Sequence, residues 1–411
     1  MPRSPSSPAF WRSPLRGPWF TSVLGVVLLA GITVLFVTGL LSYAAYNPDL
    51  SSVNDQTPDK GLLGFYLFSW PTHPSWLYRL TQGIHVTLGI ALIPVLLAKL
   101  WSVVPKLFAL PPARSLAHAL ERLSLLLLVG GGLFEFTTGV LNVQLDYIFP
   151  GSFYPLHFYG AWVFFAAFLA HAVLKTPLAL RNLRHLRDEQ PSGEEELVPP
   201  NPVEPTVSRR GALGVVGGGS LLLLATTAGR SFDGPLRETA VLAPHGGPEP
   251  GAGPGGFQIN KTAAYAGISP AETGEEAWRL VVTGRDGRSV RLDRPQLLQL
   301  ALHSSALPIA CVEGWSTSDQ WWRGVRLRDL AALVGHDDPV DVLVESLQRH
   351  GAFRRAALRA NQVADPRSLL ALFVNGEDLT PDHGYPARVI VPAAPGVLNT
   401  KWVARMTFGD L

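Results

Sequence analysis

Five apolar runs in the N-terminal half constrain this chain more than any other feature of its sequence. A helix needs about 20 apolar residues to cross the hydrocarbon core of a bilayer. The runs approach or exceed this length, and the fifth, which is rich in glycine, is the weakest candidate. The runs are Phe20–Tyr46, Ile84–Val104, Leu123–Val143, Phe158–Leu174 and Gly211–Gly229. Because backbone groups in lipid must satisfy one another, each run predicts a membrane helix.

The composition agrees with a membrane-bound chain that carries a further domain. Only 16% of the 411 residues are charged and the net charge is +2. No basic block alternates with aromatic residues, so nucleic acid is not expected as a partner. A single cysteine excludes an internal disulfide framework. We divide the chain into a transmembrane bundle (1–190), a linker that contains the fifth run (191–256) and a C-terminal domain (257–411).

The lysine and arginine residues between the runs predict the orientation in the membrane. Cytoplasmic segments carry an excess of these residues. The basic positions are Arg3, Arg12, Arg16, Lys106, Arg114, Lys175, Arg181, Arg184, Arg187, Arg209 and Arg210, whereas the two remaining connections carry Asp49, Asp55, Asp59 and Asp146. We therefore predict a multi-pass protein of the cell membrane with a cytoplasmic N-terminus. Five crossings would leave the C-terminal domain outside the cytoplasm.

The start of the fifth run allows two interpretations. The segment Ser208–Leu213, with its pair of arginines, is similar to a twin-arginine export signal. The alternative is a stop-transfer flank that follows the positive-inside rule. Both interpretations place the C-terminal half outside the cytoplasm. The following stretch, Pro244–Gly256, is rich in proline and glycine and predicts a flexible tether.

Four histidines occupy positions that suit haem iron. His157 and His171 are 171 − 157 = 14 positions apart, so they share a helix face with about 21 Å between them along the axis. His85, at the start of the second run, matches the outer depth of His157. His118, before the third run, matches the inner depth of His171. Ionisable residues within membranes are costly and mark functional sites, so we predict one or two b-type haems; interfacial histidines with satisfied hydrogen bonds are the alternative.

Small and acidic residues of the third run also leave alternatives open. The glycines Gly130, Gly131, Gly132 and Gly139 would admit a flat macrocycle or simply allow close helix packing. Glu135 would either handle quinone protons or be a buried group paired with another residue. Neither question is decided by the sequence.

The C-terminal half alternates between strand and helix patterns. Trp278–Thr283 predicts a strand, Gly284–Gly287 a hairpin turn, and Leu292–Leu302 a helix that begins at Asp293 and Pro295. The apolar stretch before Cys311 predicts a strand that ends in a turn at this cysteine. A thiolate there would suit a transition metal; the alternative is a small, buried core residue.

Several ordered motifs resemble those of the sulfite-oxidase-type molybdopterin oxidoreductases. The segment Ala310–Ser316 resembles the branch that includes the periplasmic methionine-sulfoxide reductase catalytic subunit. The other motifs are Asn260–Ala263, Trp322–Leu330, Asn375–Glu377, His383–Arg388 and Gly396–Trp402. The resemblance implies an α+β molybdopterin-binding domain in which Cys311 ligates molybdenum and Asn260 lies near the metal. It further implies that His383, Arg388 and Lys401 hold the pterin and its phosphate.

Two departures from the family pattern bear on the substrate. Sulfite oxidases place an arginine soon after the ligand cysteine, where this chain has Glu313, Gly314 and Trp315. This difference disfavours sulfite and favours a neutral or apolar substrate. The family's Asp-Gly-Tyr stretch is replaced by Ser346–Gly351, which leaves the shape of the substrate pocket open.

Together these patterns predict a membrane-bound oxidoreductase. Electrons would pass between quinol or another membrane donor, b-type haem and a molybdenum centre outside the cytoplasm, where oxo transfer would reduce a substrate such as a methionine-sulfoxide-type sulfoxide. The sequence does not choose between this direction and an oxidation that feeds quinone. Two alternatives are a sulfite-type dehydrogenase that feeds quinone, and a haem-containing membrane sensor or binding protein without catalysis.

Overall fold

A computed structural model describes nine parts of the chain. These are residue 13 with 15–54, and residues 68–107, 115–143, 153–184, 206–232, 235–243, 253–349 and 354–411. The contacts divide the chain into two compact units, the first with residues 1–37, 86–142 and 149–225, and the second with residues 38–85, 143–148 and 226–411. The domain boundaries drawn from the sequence and the orientation in the membrane stay predictions.

Some positions used in the sequence analysis lie outside the described residues. They are Arg3, Arg12, Asp55, Asp59, Arg114, Asp146, Arg187, most of the tether (244–252) and the last two residues of Ser346–Gly351. Lys106 and His118 lie in described helices, but their side chains lie outside what the structure describes.

Five long helices correspond to the five apolar runs. They are α1 (Pro18–Ala45), α2 (Leu77–Leu107), α3 (Leu116–Asn142), α4 (Tyr154–Arg184) and α5 (Arg209–Ala228). Within the described parts of the chain, all five are long and apolar enough to cross a membrane. The predicted helices are therefore confirmed, and their composition supports membrane association.

All five helices begin before their apolar runs, and in α2 and α3 this changes the setting of a histidine. The helix α2 begins at Leu77, so His85 lies about two turns inside it and not at its start. The helix α3 begins at Leu116, so His118 belongs to its first turn and does not precede it. Hydropathy marks only the apolar part of a helix, whereas the helical backbone continues through polar residues such as Arg79 and Gln82.

The helices of the first unit share one apolar core. Residues four apart on α1 lie on the same face. This face packs against α2 and α4, and the core residues are Phe20, Leu24, Leu28, Ile32, Leu92, Val95, Leu96, Phe164 and Phe168. On α3, Gly131 and Gly132 face Phe164, where an added Cβ would lie 3.2 and 3.3 Å from the nearest Phe164 atoms. These two glycines allow close helix packing.

The second unit contains two β-sheets. One sheet has the strand order β2-β1-β10-β5-β6, and the other has β3-β4-β7-β8 with β9 also paired to β7. The strands are β1 (Leu280–Thr283), β2 (Ser289–Leu292), β3 (Leu302–Leu307), β4 (Gln320–Arg326), β5 (Val342–Ser346), β6 (Arg355–Leu358), β7 (Leu369–Val374), β8 (Glu377–Asp378), β9 (Arg388–Ile390) and β10 (Val403–Phe408). Short helices α6 (Pro235–Glu238), α7 (Pro270–Thr273), α8 (Arg294–Leu298), α9 (Leu327–Ala332) and α10 (Ala360–Ala364) connect or precede them.

The hairpin predicted at Gly284–Gly287 is confirmed, and the helix after it is confirmed only at its start. The strands β1 and β2 pair antiparallel around the turn, and Gly287 has a φ of 82°, which glycine adopts readily. A capping box joins Asp293 and Gln296 at the start of α8. The predicted end at Leu302 is wrong, because this residue begins β3 and pairs with Val325.

Gly324 allows the two central strands of the second sheet to approach each other. It lies on β4 at a register shift against β7, and a Cβ at this position would overlap the Leu370 carbonyl oxygen. Backbone atoms cannot move aside as a flexible side chain can. The strand that follows the Cys311 turn is therefore held at a spacing that only glycine permits.

We predict that Gly324→Ala lowers the free energy of unfolding by about 3 kcal/mol, because the added methyl group overpacks the sheet. Thermal unfolding of the detergent-purified chain would measure this as a lower midpoint. Ser304→Ala, at an exposed position on β3, is the matched control and should unfold at the wild-type temperature. Equal midpoints for Gly324→Ala and wild type would contradict the prediction.

Candidate functional site

Cys311 begins a tight turn between β3 and β4, which confirms the predicted turn, whereas the strand before it ends earlier than predicted, at Leu307. The Cys311 N–H donates to the Trp315 carbonyl (2.8 Å), and the Gly314 N–H donates to the Cys311 carbonyl (3.1 Å). Gly314 has a φ of 89°, in the left-handed region that favours glycine. Ile309 and Thr317 close the base of the turn with two hydrogen bonds of 2.9 Å. The turn therefore holds the cysteine on a rigid support.

The Cys311 thiol is buried beside a carboxylate. Its sulfur lies 3.5 Å from Glu313 Oε2, and the same oxygen accepts a hydrogen bond from Trp315 Nε1 (3.0 Å). Burial, and then the charge of Glu313, raise the pKa of the Cys311 thiol well above its usual range. A bound cation would favour the thiolate instead, since metal ligation requires the deprotonated sulfur.

Cys311 opens onto a cavity of about 630 Å³, a volume that includes space open to solvent. The cavity is lined by residues that are distant in sequence but adjacent in the fold. All five residues that the family resemblance implied lie in its wall, namely Asn260, Cys311, His383, Arg388 and Lys401. The structure therefore brings the predicted C-terminal site residues together at one place.

Two cations lie in the wall of this cavity, Arg388 buried and Lys401 half-buried. The Arg388 guanidinium donates to the carbonyls of His383 (3.1 Å) and Asn399 (3.2 Å). The Lys401 ammonium donates to the carbonyls of Asp382 (3.0 Å) and Lys261. Burial lowers the pKa of Arg388 to about 9 and that of Lys401 well below its usual range. Neither forms an ion pair with a described residue, so an anion in the cavity would stabilise both charges.

His383 presents a neutral imidazole to the same cavity. Its Nδ1 bonds the Thr380 hydroxyl (2.8 Å), while the buried Nε2 has no hydrogen-bond partner among the described residues. Burial, followed by the charges of Arg388 and Lys401, lowers the pKa of His383 to about 3. Nε2 can therefore accept or donate one hydrogen bond to a ligand.

Several buried polar atoms in the cavity wall lack hydrogen-bond partners in the described structure, and they indicate which kind of ligand the cavity fits. Besides His383 Nε2, three buried atoms in the cavity wall have no partner within the described parts of the chain, namely Arg388 Nε, Asn399 Nδ2 and Thr400 Oγ1. Buried polar atoms without partners are rare in folded proteins. Four such atoms in one cavity wall, next to the cations of Arg388 and Lys401, fit a phosphate-bearing pterin.

The sequence analysis quoted the motifs that contain Trp322 and Lys261 but gave these two residues no role. Trp322 lies under the Arg388 guanidinium at 5.1 Å from ring to cation, and Lys261 lines the cavity. These contacts join residues that are distant in sequence, so a motif alone does not predict them. Asn375, which belongs to another of the quoted motifs, forms the turn between β7 and β8 with a φ of 52° and bonds Trp321 and Gln320.

Comparison with known proteins agrees with this site. Residues 266–410 match the family model described as "Oxidoreductase molybdopterin binding domain". Mitochondrial sulfite oxidase of Mus musculus is 31% identical over 156 residues, which are 32% of this chain and 29% of that protein. The uncharacterized oxidoreductase YuiH of Bacillus subtilis is 30% identical over 131 residues (32% of this chain and 65% of that protein).

A third relative is the protein-methionine-sulfoxide reductase catalytic subunit MsrP of Gluconobacter oxydans. It is 31% identical over 151 residues, which are 32% of this chain and 47% of that protein. The chain therefore spans less than two thirds of the length of each of these relatives. Residues 266–410 therefore match an oxidoreductase molybdopterin-binding domain and are similar to sulfite oxidase and MsrP. The predicted enzyme class, a molybdopterin-dependent oxidoreductase, is confirmed for this domain.

Of the helix histidines, His85 belongs to the second unit and His157 to the first. In the second unit, the His85 Nδ1 bonds the Thr38 hydroxyl (3.1 Å). In the first unit, the His157 Nδ1 bonds the Thr138 hydroxyl (3.0 Å) and lies 3.2 Å from Glu135 Oε2. The interpretation of Glu135 as a buried group with a protein partner is thereby supported.

The two histidines share a local motif that the sequence analysis missed. Phe36–Leu41 (Phe-Val-Thr-Gly-Leu-Leu) and Phe136–Leu141 (Phe-Thr-Thr-Gly-Val-Leu) are identical at four of six positions, 136 − 36 = 100 residues apart. Within each unit, a Cβ on the motif glycine would lie against the histidine Cε1, at 3.1 Å for Gly39 and 3.4 Å for Gly139. Each Thr-Gly step therefore orients one histidine, and a search for internal repeats would have found it.

We predict that the cofactor-free protein loses stability as the pH falls from 6.5 to 5. The unfolded chain protonates His383 near its ordinary pKa of 6.5, whereas the folded chain keeps it neutral down to about 3. The unfolded state therefore binds more protons in this window, which removes about 2 kcal/mol of stability. Thermal unfolding of cofactor-free protein at both pH values would measure the loss.

His383→Gln is the control for this prediction, because glutamine does not titrate. Its unfolding midpoint should depend less on pH than that of the wild type. Identical pH dependence in both proteins would show that His383 is not held neutral by its surroundings.

Proposed function

We propose that this chain is a membrane-bound molybdenum-cofactor oxidoreductase in which Cys311 ligates the metal. One observation supports this most directly: the single thiol of the chain shares a cavity with a buried arginine, a half-buried lysine and a buried histidine, in a segment that matches a molybdopterin-binding domain. When bound, the cofactor supplies the oxo-transfer and electron-transfer chemistry. The residues of the chain bind it, orient it and control access.

The phosphate end of the cofactor would be held by Arg388 and Lys401. Arginine offers a planar fork of donors, and lysine a point charge. The guanidinium is already fixed by two carbonyls and by Trp322, so little side-chain freedom would be lost on binding. Gly384, with a φ of 109°, allows close packing, since a Cβ there would lie 3.1 Å from Arg388 and Lys401 atoms.

The substrate proposal rests on Glu313 and Trp315, which adjoin the ligand cysteine. The Glu313 carboxylate lies beside the sulfur and is fixed by the Trp315 indole N–H. A negative charge there repels an anion such as sulfite and accommodates a neutral substrate. We therefore favour reduction of a sulfoxide, the substrate class that the name of the MsrP relative prints. Sulfite oxidation is the second candidate, because sulfite oxidases are also among the relatives.

We also propose that the helices hold b-type haem and exchange electrons with quinol or another membrane donor. His85 and His157 are the proposed outer ligands, and His118 and His171 the inner ones. A ligating histidine usually bonds a second group through its other ring nitrogen. The Nδ1 atoms of His85 and His157 each bond a threonine hydroxyl in this way, which supports coordination through Nε2.

We predict that Cys311→Ser removes one sulfur from the coordination shell of molybdenum and lowers turnover at least ~100-fold, as expected when a reacting centre loses a ligand. X-ray absorption and activity with sulfoxide and sulfite, using artificial electron carriers, would measure both effects. A Cys311→Ser variant with unchanged metal coordination and turnover would refute the ligand assignment. Wild-type protein that carries molybdenum but turns over neither substrate would favour the non-catalytic alternative.

We predict that Arg388→Met lowers the cofactor content of the purified protein about tenfold, because the phosphate loses a charge-assisted pair of hydrogen bonds. Pterin and molybdenum quantitation would measure the content. Arg323→Met, at an exposed position on β4, is the matched control and should keep the wild-type content. Equal loss in both variants would contradict a specific role for Arg388.

We predict that the purified chain shows a b-type haem band in reduced-minus-oxidised spectra, and that His85→Ala and His157→Ala each lose it in part or whole. His303→Ala, on strand β3 of the sheet domain, should keep the full band. A wild-type chain without any haem band would overturn this part of the proposal and leave the molybdenum site unaffected.

A further inference from the structure

The turn that carries Cys311 is fixed by residues outside the domain that the family model matches. Gln82 of α2 donates from Nε2 to the Val312 carbonyl. The Ser231 hydroxyl donates to the Gly314 carbonyl at 3.1 Å. Both donors precede residue 266 in the chain, and all four residues belong to the second unit.

These contacts use carbonyls that the turn itself does not use. Its internal hydrogen bonds engage the carbonyls of Cys311 and Trp315. The carbonyls of Val312, Gly314 and Ser316 take no part in these internal hydrogen bonds. Arg237 Nη2 donates to the Ser316 carbonyl at 3.3 Å. Because a buried carbonyl needs a partner, the outer side of the turn depends on donors from the preceding segments.

The same part of the chain also holds the loop next to the turn. The Trp70 indole N–H donates to the Ala393 carbonyl (2.7 Å), and the Ala393 N–H donates to the Ser75 carbonyl (3.1 Å). Three residues later, the Gly396 N–H donates to the Ala310 carbonyl (2.7 Å), directly before the cysteine. Residues 70–82 therefore contact the Cys311 turn at Val312 and, at Ala393, the loop that bonds Ala310.

The first turns of α2, which the sequence predicts to lie at the outer face of the membrane and which are called its outer turns below, carry buried or small residues where they face the Cys311 turn. Tyr78, one turn before Gln82, is fully buried although it lies near the start of a membrane helix. Gly83 approaches the Gly314 carbonyl, where an added Cβ would lie 3.9 Å from its oxygen. The residues that face the turn are thus buried or small, whereas Leu80 on the same helix is exposed.

We propose that Gln82 is a positioning residue of the Cys311 site, and that the outer turns of α2 form a wall of this site. Through the Val312 carbonyl, Gln82 fixes the orientation in which the turn presents the cysteine sulfur. His85 follows three positions later on the same helix face, so one helix carries a proposed haem ligand and a direct hydrogen bond to the metal-binding turn. This inference rests on the proposed function for its catalytic meaning, but its structural content can be tested without cofactor.

The single cysteine of the chain allows a specific test, because thiol labelling reports only on Cys311. Full-length protein would be made in cells that cannot synthesise molybdopterin, purified in detergent, and treated with a small maleimide. Gln82→Met keeps the side-chain length and removes the donor. It should raise the labelling rate about tenfold, since loss of a buried hydrogen bond makes local opening of the turn easier.

Ser231→Ala is a second, independent variant that removes the donor to Gly314, and it should raise the labelling rate in the same direction. Leu80→Met, on the exposed side of α2, is the matched control and should label at the wild-type rate. Gel filtration and far-UV circular dichroism would show that each variant is folded. Wild-type labelling rates in both Gln82→Met and Ser231→Ala would overturn the inference.

A second readout separates positioning from general structural support. In cofactor-loaded protein, Gln82→Met should lower kcat per molybdenum about tenfold at unchanged molybdenum content, because the turn holds the cysteine less firmly. A merely structural role would lower the molybdenum content and leave kcat per molybdenum unchanged, which would contradict positioning. If wild-type protein binds no molybdenum, the proposed function fails, whereas the labelling result still decides whether Gln82 fixes the turn.

Discussion

The positive charges of Arg388 and Lys401, held in the cavity wall without an ion pair to a described residue, are the constraint on which the proposed cofactor site depends. Moving a charge from water into a protein interior costs several kcal/mol unless a counter-charge accompanies it. Here the partners are backbone carbonyls, which carry only partial charge. Two cations at this cost contribute little to a stable fold by themselves. They are explained if the fold exists to bind an anion, and the neutral imidazole of His383 then serves as a further hydrogen-bonding group for it.

The same reasoning applies to the polar groups of the helices. Glu135, His157 and Thr138 form a compact polar cluster in the first unit, and the burial of Glu135 among apolar residues is costly without such partners. A threonine hydroxyl bonds His85 in the second unit with nearly the same distance. These paired polar side chains in apolar surroundings support the proposed haem ligands. Close packing alone explains Gly131 and Gly132, but it does not explain these histidines.

Several features could be predicted from the sequence because local chemistry determines them. The long apolar runs predicted the five helices, and the capping residue Asp293 predicted the start of α8. The ends of α2 and α8 could not be predicted, because they depend on tertiary contacts such as the pairing of Leu302 with Val325. In the site, motif resemblance identified Cys311 and Arg388. The role of Trp322 could not be predicted, because its contact with Arg388 joins different strands, whereas the Thr-Gly repeat at Thr38 and Thr138 is a property of the sequence itself.

The Cys311 turn also bears on how this domain type adapts to its surroundings. The turn satisfies only part of its own backbone, and in this chain Gln82 and Ser231 supply donors to two of the outward carbonyls. Any molybdopterin-binding domain with this turn but without such segments must supply other donors, or water, at the same positions. The outer wall of the site, and hence the access of substrate to the metal, can therefore differ between chains whose cofactor residues are the same. Under the proposed function, substrate range would then depend on what is joined to the domain as well as on the domain itself.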